Sequence, residues 1–112
     1  MDAKDSIGTI VAVEIDRPLG SKHPKYELVY EVNYGFVPEI MAPDGEFLDV
    51  YILGETEPLS RFVGECIAVI HRLNDNEDKL VVVPPGMNYT DEQIRKTTEF
   101  QERFFHSVII RK

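Results

Sequence analysis

"KLVVVPPGMNYTDEQIRKTTEFQERFF", running from Lys79 to Phe105, changes its chemical pattern in the middle. Its first part, Lys79 to Pro85, is a β-branched run closed by two prolines and reads as a strand, because proline has no N–H with which to continue a ladder. Its second part reads as a helix. Thr90 and Gln93 fit a capping box, and Asp91 and Glu92 stand where the helix dipole favours negative charge. The pattern predicts one helix from about Asp91 to about Phe105, with Ile94, Phe100, Phe104 and Phe105 on its apolar side. "HSVIIRK", at the end, either continues that helix or forms a last short strand.

Everything before this helix reads as strands and turns. "IGTIVAVEID" (Ile7 to Asp16) is rich in β-branched residues, and "DRPLGSKHP" (Asp16 to Pro24) is a loop of Pro, Gly and Ser. "KYELVYEVNYGF" (Lys25 to Phe36) alternates, with Tyr26, Leu28, Tyr30 and Val32 on one face, and is expected to be a strand. "APDG" (Ala42 to Gly45) is a turn, and "FLDVYIL" (Phe47 to Leu53) is a buried strand interrupted by Asp49. "RFVGECIAVIHRL" (Arg61 to Leu73) is a long strand in which Gly64 suggests a bulge or bend, followed by the polar turn "NDNED" (Asn74 to Asp78). Short strands at close spacing with a single helix imply a mainly β fold: a small five-stranded closed barrel, one domain over residues 1–112, with the helix packed outside. Closure removes the exposed edges that a small β domain must otherwise protect.

The chain has 112 residues, 43% of them hydrophobic, and a formal net charge of -8. That charge argues against a nucleic-acid partner held through phosphate neutralisation. It suits cations, or an anion already bridged by cations. Cys66 is the only cysteine, so no internal disulfide forms, and within "GECIAVI" it is expected to be a buried small hydrophobe. No apolar run approaches membrane-spanning length and the first residues carry no leader pattern, so a cytoplasmic protein without a membrane partner is expected. His23, His71 and His106 share no metal-ligand spacing and are read as structural or surface residues.

The acids are less ordinary. Asp44, Glu46 and Asp49 fall within six residues, among apolar neighbours, where like charges repel. A second group, Asp75, Glu77 and Asp78, precedes Lys79, while Glu14 ends the first strand and Lys25 and Glu27 flank Tyr26. "NDNED", "KYE" and "PDGE" are each ordinary solvated segments when taken alone. Asp49 is not, because a carboxylate buried in an apolar strand must be paired or bind a metal. Carboxylates gathered at one barrel mouth would hold Mg²⁺, a hard cation that takes oxygen ligands. Lysines among them make sense if the ligand is a phosphate bridged by metal.

These residues resemble the soluble family I inorganic pyrophosphatases. Asn33-Tyr34-Gly35-Phe36 resembles the family's Asn-Tyr-Gly-aromatic, and Asp44-Gly45-Glu46-Phe47-Leu48-Asp49 its Asp-x-Asp-Pro-apolar-Asp signature. "NDNEDKLVVVP" resembles its acidic turn running into a lysine strand, and the likeness extends over roughly Ile10 to Pro85. The resemblance implies an OB-like barrel and Mg²⁺-dependent hydrolysis of pyrophosphate, with Mn²⁺ as a substitute metal and a homo-oligomer as the family's habit. It implies metal binding by Asp44, Asp49, Asp75, either Glu77 or Asp78, Glu14 and Glu27. It further implies phosphate contacts from Lys25, Lys79 and Tyr30, and places Glu46 and Tyr34 at the reacting water and phosphate.

The departures are as specific. Glu46 stands for an aspartate and Phe47 for the motif's proline. The family's hairpin with its phosphate-binding arginine is absent between Glu27 and Tyr30, and the second acidic turn is short. Phe104-Phe105 is the nearest match to the family's Tyr-Lys pair on the helix. Arg17, Lys22 and Arg103 are the candidate replacement cations. These losses leave open a catalytically weakened module that binds metal or a phosphate ligand, or a hydrolase of a different phosphoanhydride.

Overall fold

In the computed structural model, which describes residues 3–41 and 45–112, the strands are β1 (Ile10–Arg17), β2 (Asn33–Met41), β3 (Phe47–Ile52), β4 (Arg61–Arg72), β5 (Asp78–Val83) and β6 (Ser107–Ile110). One helix, α1 (Asp91–Glu102), lies between β5 and β6, and a 3-10 turn spans Ala3–Ser6. The sheet order is β1-β2-β3-β5-β4-β6, and a further pairing of β1 with β4 closes the first five strands into a barrel. β3 and β5 run parallel; the other pairings are antiparallel. The architecture expected from the sequence is therefore the one found, with β6 as an added strand on the edge of β4.

Strand alternation sorts the apolar side chains into two cores. Val11, Val13, Val37, Leu48, Val50, Ile52, Cys66, Val69, Leu80 and Val82 fill the barrel. Tyr51, Ala68, Ile70, Val81 and Val83 point the other way and meet Ile94 and Phe100 of α1 with Tyr30 and Val32 of the loop before β2. β3 and β5 are thus buried on both faces, which is why their sequences read as unbroken apolar runs.

Two glycines are dictated by close approach. A Cβ on Gly35 would collide with the carbonyl of Glu14 on β1. One on Gly64 would lie 2.6 Å from the Val83 carbonyl oxygen and 2.8 Å from a Val82 methyl. Gly64 therefore marks contact rather than the suggested bulge; the register of β4 against β5 shifts between Cys66 and Ala68 instead.

Two boundaries depart from expectation and one open alternative is resolved. Lys25 to Val32 is not a strand: apart from an isolated Lys22–Val29 bridge it is a loop, and β2 starts at Asn33. Tyr26 and Val29 are exposed while Tyr30 and Val32 are buried, so the alternation there reflects a loop folded onto the barrel. The helix ends at Glu102, short of Phe105, and Phe104 is exposed at 62%. "HSVIIRK" resolves in favour of the strand, as β6. The capping box is formed: Gln93 N–H donates to the Thr90 hydroxyl at 3.1 Å and Thr90 N–H to Gln93 Oε1 at 2.8 Å.

Candidate active site

The register of the sheet places Glu14, Tyr34, Asp49 and Lys79, four of the candidate residues, on the outer face of the barrel. Asp49 lies beside Phe36 on one side and Lys79 on the other, and Phe36 lies beside Glu14. Two residues further along β2 and β3, Arg17 lies beside Tyr34 and Tyr34 beside Tyr51. Because side chains alternate along a strand, both rows project from the same face as the outer core. Glu14 stays roughly 10 Å from Asp49, two strand spacings away with Phe36 between them.

Asp49 accepts a hydrogen bond from Lys79 Nζ at 2.6 Å, and the same ammonium reaches Glu77 Oε2 at 3.5 Å. The Lys79 side chain is only 5% exposed, so its charge requires partners nearby. An ammonium has three donors, of which these contacts engage two. The aromatic neighbours form a chain: Tyr30 packs on Tyr34 with ring centroids 5.3 Å apart, and Tyr34 meets Tyr51 edge-on at 5.0 Å. Burial, then the negative charge of Asp49, holds the Tyr34 hydroxyl well above its ordinary pKa. It is therefore a neutral hydrogen-bond donor near neutral pH. Burial also raises Tyr30, against the opposing charge and hydrogen bond of Arg17. Arg17, one of the candidate replacement cations, stands beside Tyr34 in the ladder.

The second acidic group divides. Asp75 and Glu77 turn towards Arg72, whose Nη1 donates to them at 3.3 and 3.1 Å. Asp78 turns away and pairs with His71 Nδ1 at 2.6 Å. Of the alternatives Glu77 and Asp78, Glu77 is the one beside Lys79 and Asp49. Lys25 and Glu27 are exposed in the loop before β2. That loop is tied inward by His23, which accepts from the Lys25 N–H at 3.0 Å and packs on Tyr26 and Tyr30. Glu46 is exposed at the start of the turn into β3, and Asp44 lies outside the described residues. Among the described residues, no three His, Cys, Asp or Glu side chains are grouped to hold a metal ion.

The sequence reading missed a buried network beside this site. Arg72 grips Glu102 with two hydrogen bonds, Nε to Oε1 at 3.1 Å and Nη2 to Oε2 at 2.7 Å. Tyr51 donates to Glu102 Oε2 at 2.6 Å and accepts from Gln101 Nε2 at 2.7 Å. Burial, then Glu102, holds the Tyr51 phenol well above its usual pKa. A signal was present: Arg72 ends an apolar strand with the parity of Ile70 and Ala68, so its side chain had to enter the space beneath α1. Asn33 entered the sequence reading only as part of the Asn-Tyr-Gly motif, with no role of its own. It is fully buried, accepts from the N–H groups of Leu19 and Leu59 on Oδ1, and donates to the Glu57 carbonyl. It fixes two loops against the start of β2.

The closed barrel is a fold shared with solved inorganic pyrophosphatases. The crystal structure of the Ehrlichia chaffeensis enzyme superposes with a TM-score of 0.69, 16% identity, and coverage of 96% of this chain and 88% of that one. The chain belongs to the inorganic pyrophosphatase family, whose sequence model matches residues 8–109. It is 32% identical over 93 residues to an inorganic pyrophosphatase of Saccharolobus solfataricus, covering 80% of this chain and 51% of that protein. It is 34% identical over 106 residues to soluble inorganic pyrophosphatase 2 of Chlamydomonas reinhardtii, covering 72% and 55%. The chain thus spans about half the length of the curated relatives it matches. Membership implies a divalent metal cofactor. Among the described residues no helix is long and apolar enough to cross a membrane.

Proposed function

We propose that this chain hydrolyses inorganic pyrophosphate to phosphate in a reaction that depends on Mg²⁺, with Mn²⁺ able to replace it. The observation that carries the reading is the approach of Asp49 and Glu77 to one buried ammonium, Lys79, beside Tyr34. The donors fit a hard cation on the Asp49 side, where the part-exposed Asp49 carboxylate meets one buried ammonium, and Asp44 and Glu46, close by in sequence, would add carboxylates. They do not fit at Asp75, whose carboxylate is held by Arg72. A divalent ion bound by Asp44 and Asp49 would lower the pKa of a water and neutralise phosphate charge.

The chain's own groups would do the rest. Lys79 would turn its remaining donor to a phosphate oxygen, and Lys25 would add a second cation from the loop. Tyr34 and Tyr30, held protonated, would donate hydrogen bonds to phosphate and never act as bases near neutral pH. Glu46 would accept the proton of the attacking water, one methylene further out than an aspartate, so its reach sets the rate. Glu14 and Glu27 would lie at the edge of the metal-binding set. The substrate is a small phosphoanhydride, the cytoplasm the expected compartment, and a homo-oligomer the expected assembly.

A second reading, hydrolysis or regulatory binding of a different phosphoanhydride, is favoured by one observation: Lys25 and Glu27 stand on an exposed loop. Phosphate release from pyrophosphate at pH 7 to 9, with Mg²⁺, Mn²⁺ or EDTA, tests the choice. Metal-dependent release that disappears in Asp49→Asn is the expected result. Release of phosphate from nucleotide anhydrides but not from pyrophosphate would establish the second reading. Failure on all of them would refute both catalytic readings.

A further inference from the structure

Arg72 closes β4 with a side chain only 6% exposed, and its guanidinium is held along its edges and on one face. Two donors grip Glu102 at 3.1 and 2.7 Å, and Nη1 is shared between Asp75 at 3.3 Å and Glu77 at 3.1 Å. The Phe105 ring lies 3.6 Å beneath the guanidinium carbon. One cation thus joins three carboxylates, two from the turn between β4 and β5 and one from the last turn of α1. The turn is itself preset: the Glu77 N–H donates to Asp75 Oδ1 at 3.1 Å, and Asn76 takes the left-handed φ of 58°. The Asp75 carboxylate is therefore fixed by the backbone of its own turn, with Oδ2 on the guanidinium.

A divalent ion cannot join this arrangement. Mg²⁺ draws its oxygen ligands to about 2.1 Å, and an ion at that distance from Asp75 and Glu77 would stand against the like charge of Nη1. The guanidinium cannot swing aside, because Phe105 lies under it and leaving would strand Glu102, 8% exposed, as an unpaired buried charge. We propose that Arg72 is a built-in counter-cation occupying the place of a metal at Asp75 and Glu77. Divalent binding by this chain then draws on the Asp49 side alone, and Asp75 positions Arg72 instead of ligating metal. The inference rests on the proposed metal-dependent function, yet makes a claim of its own about which acids take metal.

The test is Mn²⁺ binding to the full chain, read by the electron-spin resonance of free Mn²⁺ without substrate, at about 0.15 M salt so that remote charges are screened. Five proteins are compared: wild type, Asp75→Asn, Asp49→Asn, Arg72→Met with Glu102→Gln, which removes the buried cation and its buried partner together, and that double variant with Asp75→Asn added. Asp75→Asn should bind Mn²⁺ as wild type does, while Asp49→Asn should lose about tenfold or more in affinity. The double variant should gain a further Mn²⁺ per chain, and adding Asp75→Asn to it should abolish the gain. A loss of about tenfold in Asp75→Asn alone would overturn the proposal, and this arm holds even if the double variant fails to fold. No Mn²⁺ binding by wild type would refute the proposed function instead. The double variant would then decide this inference, a gain supporting it and no gain overturning it.

Discussion

Gly35 carries its weight by lacking a methyl group. It pairs with Ile15 across β1 and β2, and a Cβ there would enter the backbone at Glu14. Gly35→Ala should destabilise the fold by about 2 kcal/mol or more, the scale of overpacking against backbone that cannot yield, measured by urea unfolding. Cys66 illustrates the opposite condition, a group made inert by its surroundings. It is wholly buried in the barrel, and burial pushes its thiol up to about 11. A disulfide reagent at neutral pH should leave it untouched in the folded protein and modify it on unfolding; fast labelling of the folded chain would contradict the packing. Asp49 was legible in the sequence because a carboxylate between Leu48 and Val50 has no apolar explanation. Arg72 was not, because its meaning depends on Glu102, thirty positions away by the spacing of their contact, and only the fold brings the two together.

At the scale of elements, legibility followed how local the governing physics is. The capping box at Thr90 needs only four consecutive residues, and it formed as read. Thr90→Ala should cost about 1 kcal/mol, and Thr90→Asp should retain most of the cap; thermal melts of the two variants separate them. The segment from Lys25 to Val32 misled because alternation reports which side chains are covered, not whether a partner strand is present. Tyr30 and Val32 are covered by the outer core, yet no ladder runs beside them until Asn33. The end of α1 misled in a related way: Phe104 and Phe105 extend an apolar pattern, but the helix stops at Glu102 and Phe105 serves the guanidinium of Arg72. The parallel pairing of β3 with β5, which sets Asp49 beside Lys79, could not be read from either strand alone. The sequence did place Asp49 and Lys79 in one site, through motif resemblance and not through strand pattern.

For the molecule as a whole, the site lies on a barrel face that is also a core. Tyr30 and Tyr51 pack in the outer core, Tyr34 packs against it, and all three phenols are raised in pKa by burial first. Cys66 in the inner core is raised likewise, to about 11. Each group keeps its proton more tightly when folded than when unfolded. Once the pH passes the unfolded values, the unfolded state binds fewer protons than the folded one, and stability falls as pH rises. Below those values the groups are protonated in both states and add no pH dependence. The fall should begin above about pH 8.5 with the thiol and steepen above about pH 10 with the phenols. Urea unfolding across that range checks this, with two variants to assign the parts. Cys66→Ala should remove the earlier, shallower decline, and Tyr34→Phe should reduce the steeper one while leaving the earlier intact. A stability that stays level to about pH 11 would mean that the phenols are hydrated in solution, and the outer core could not then be closed to water beside Lys79.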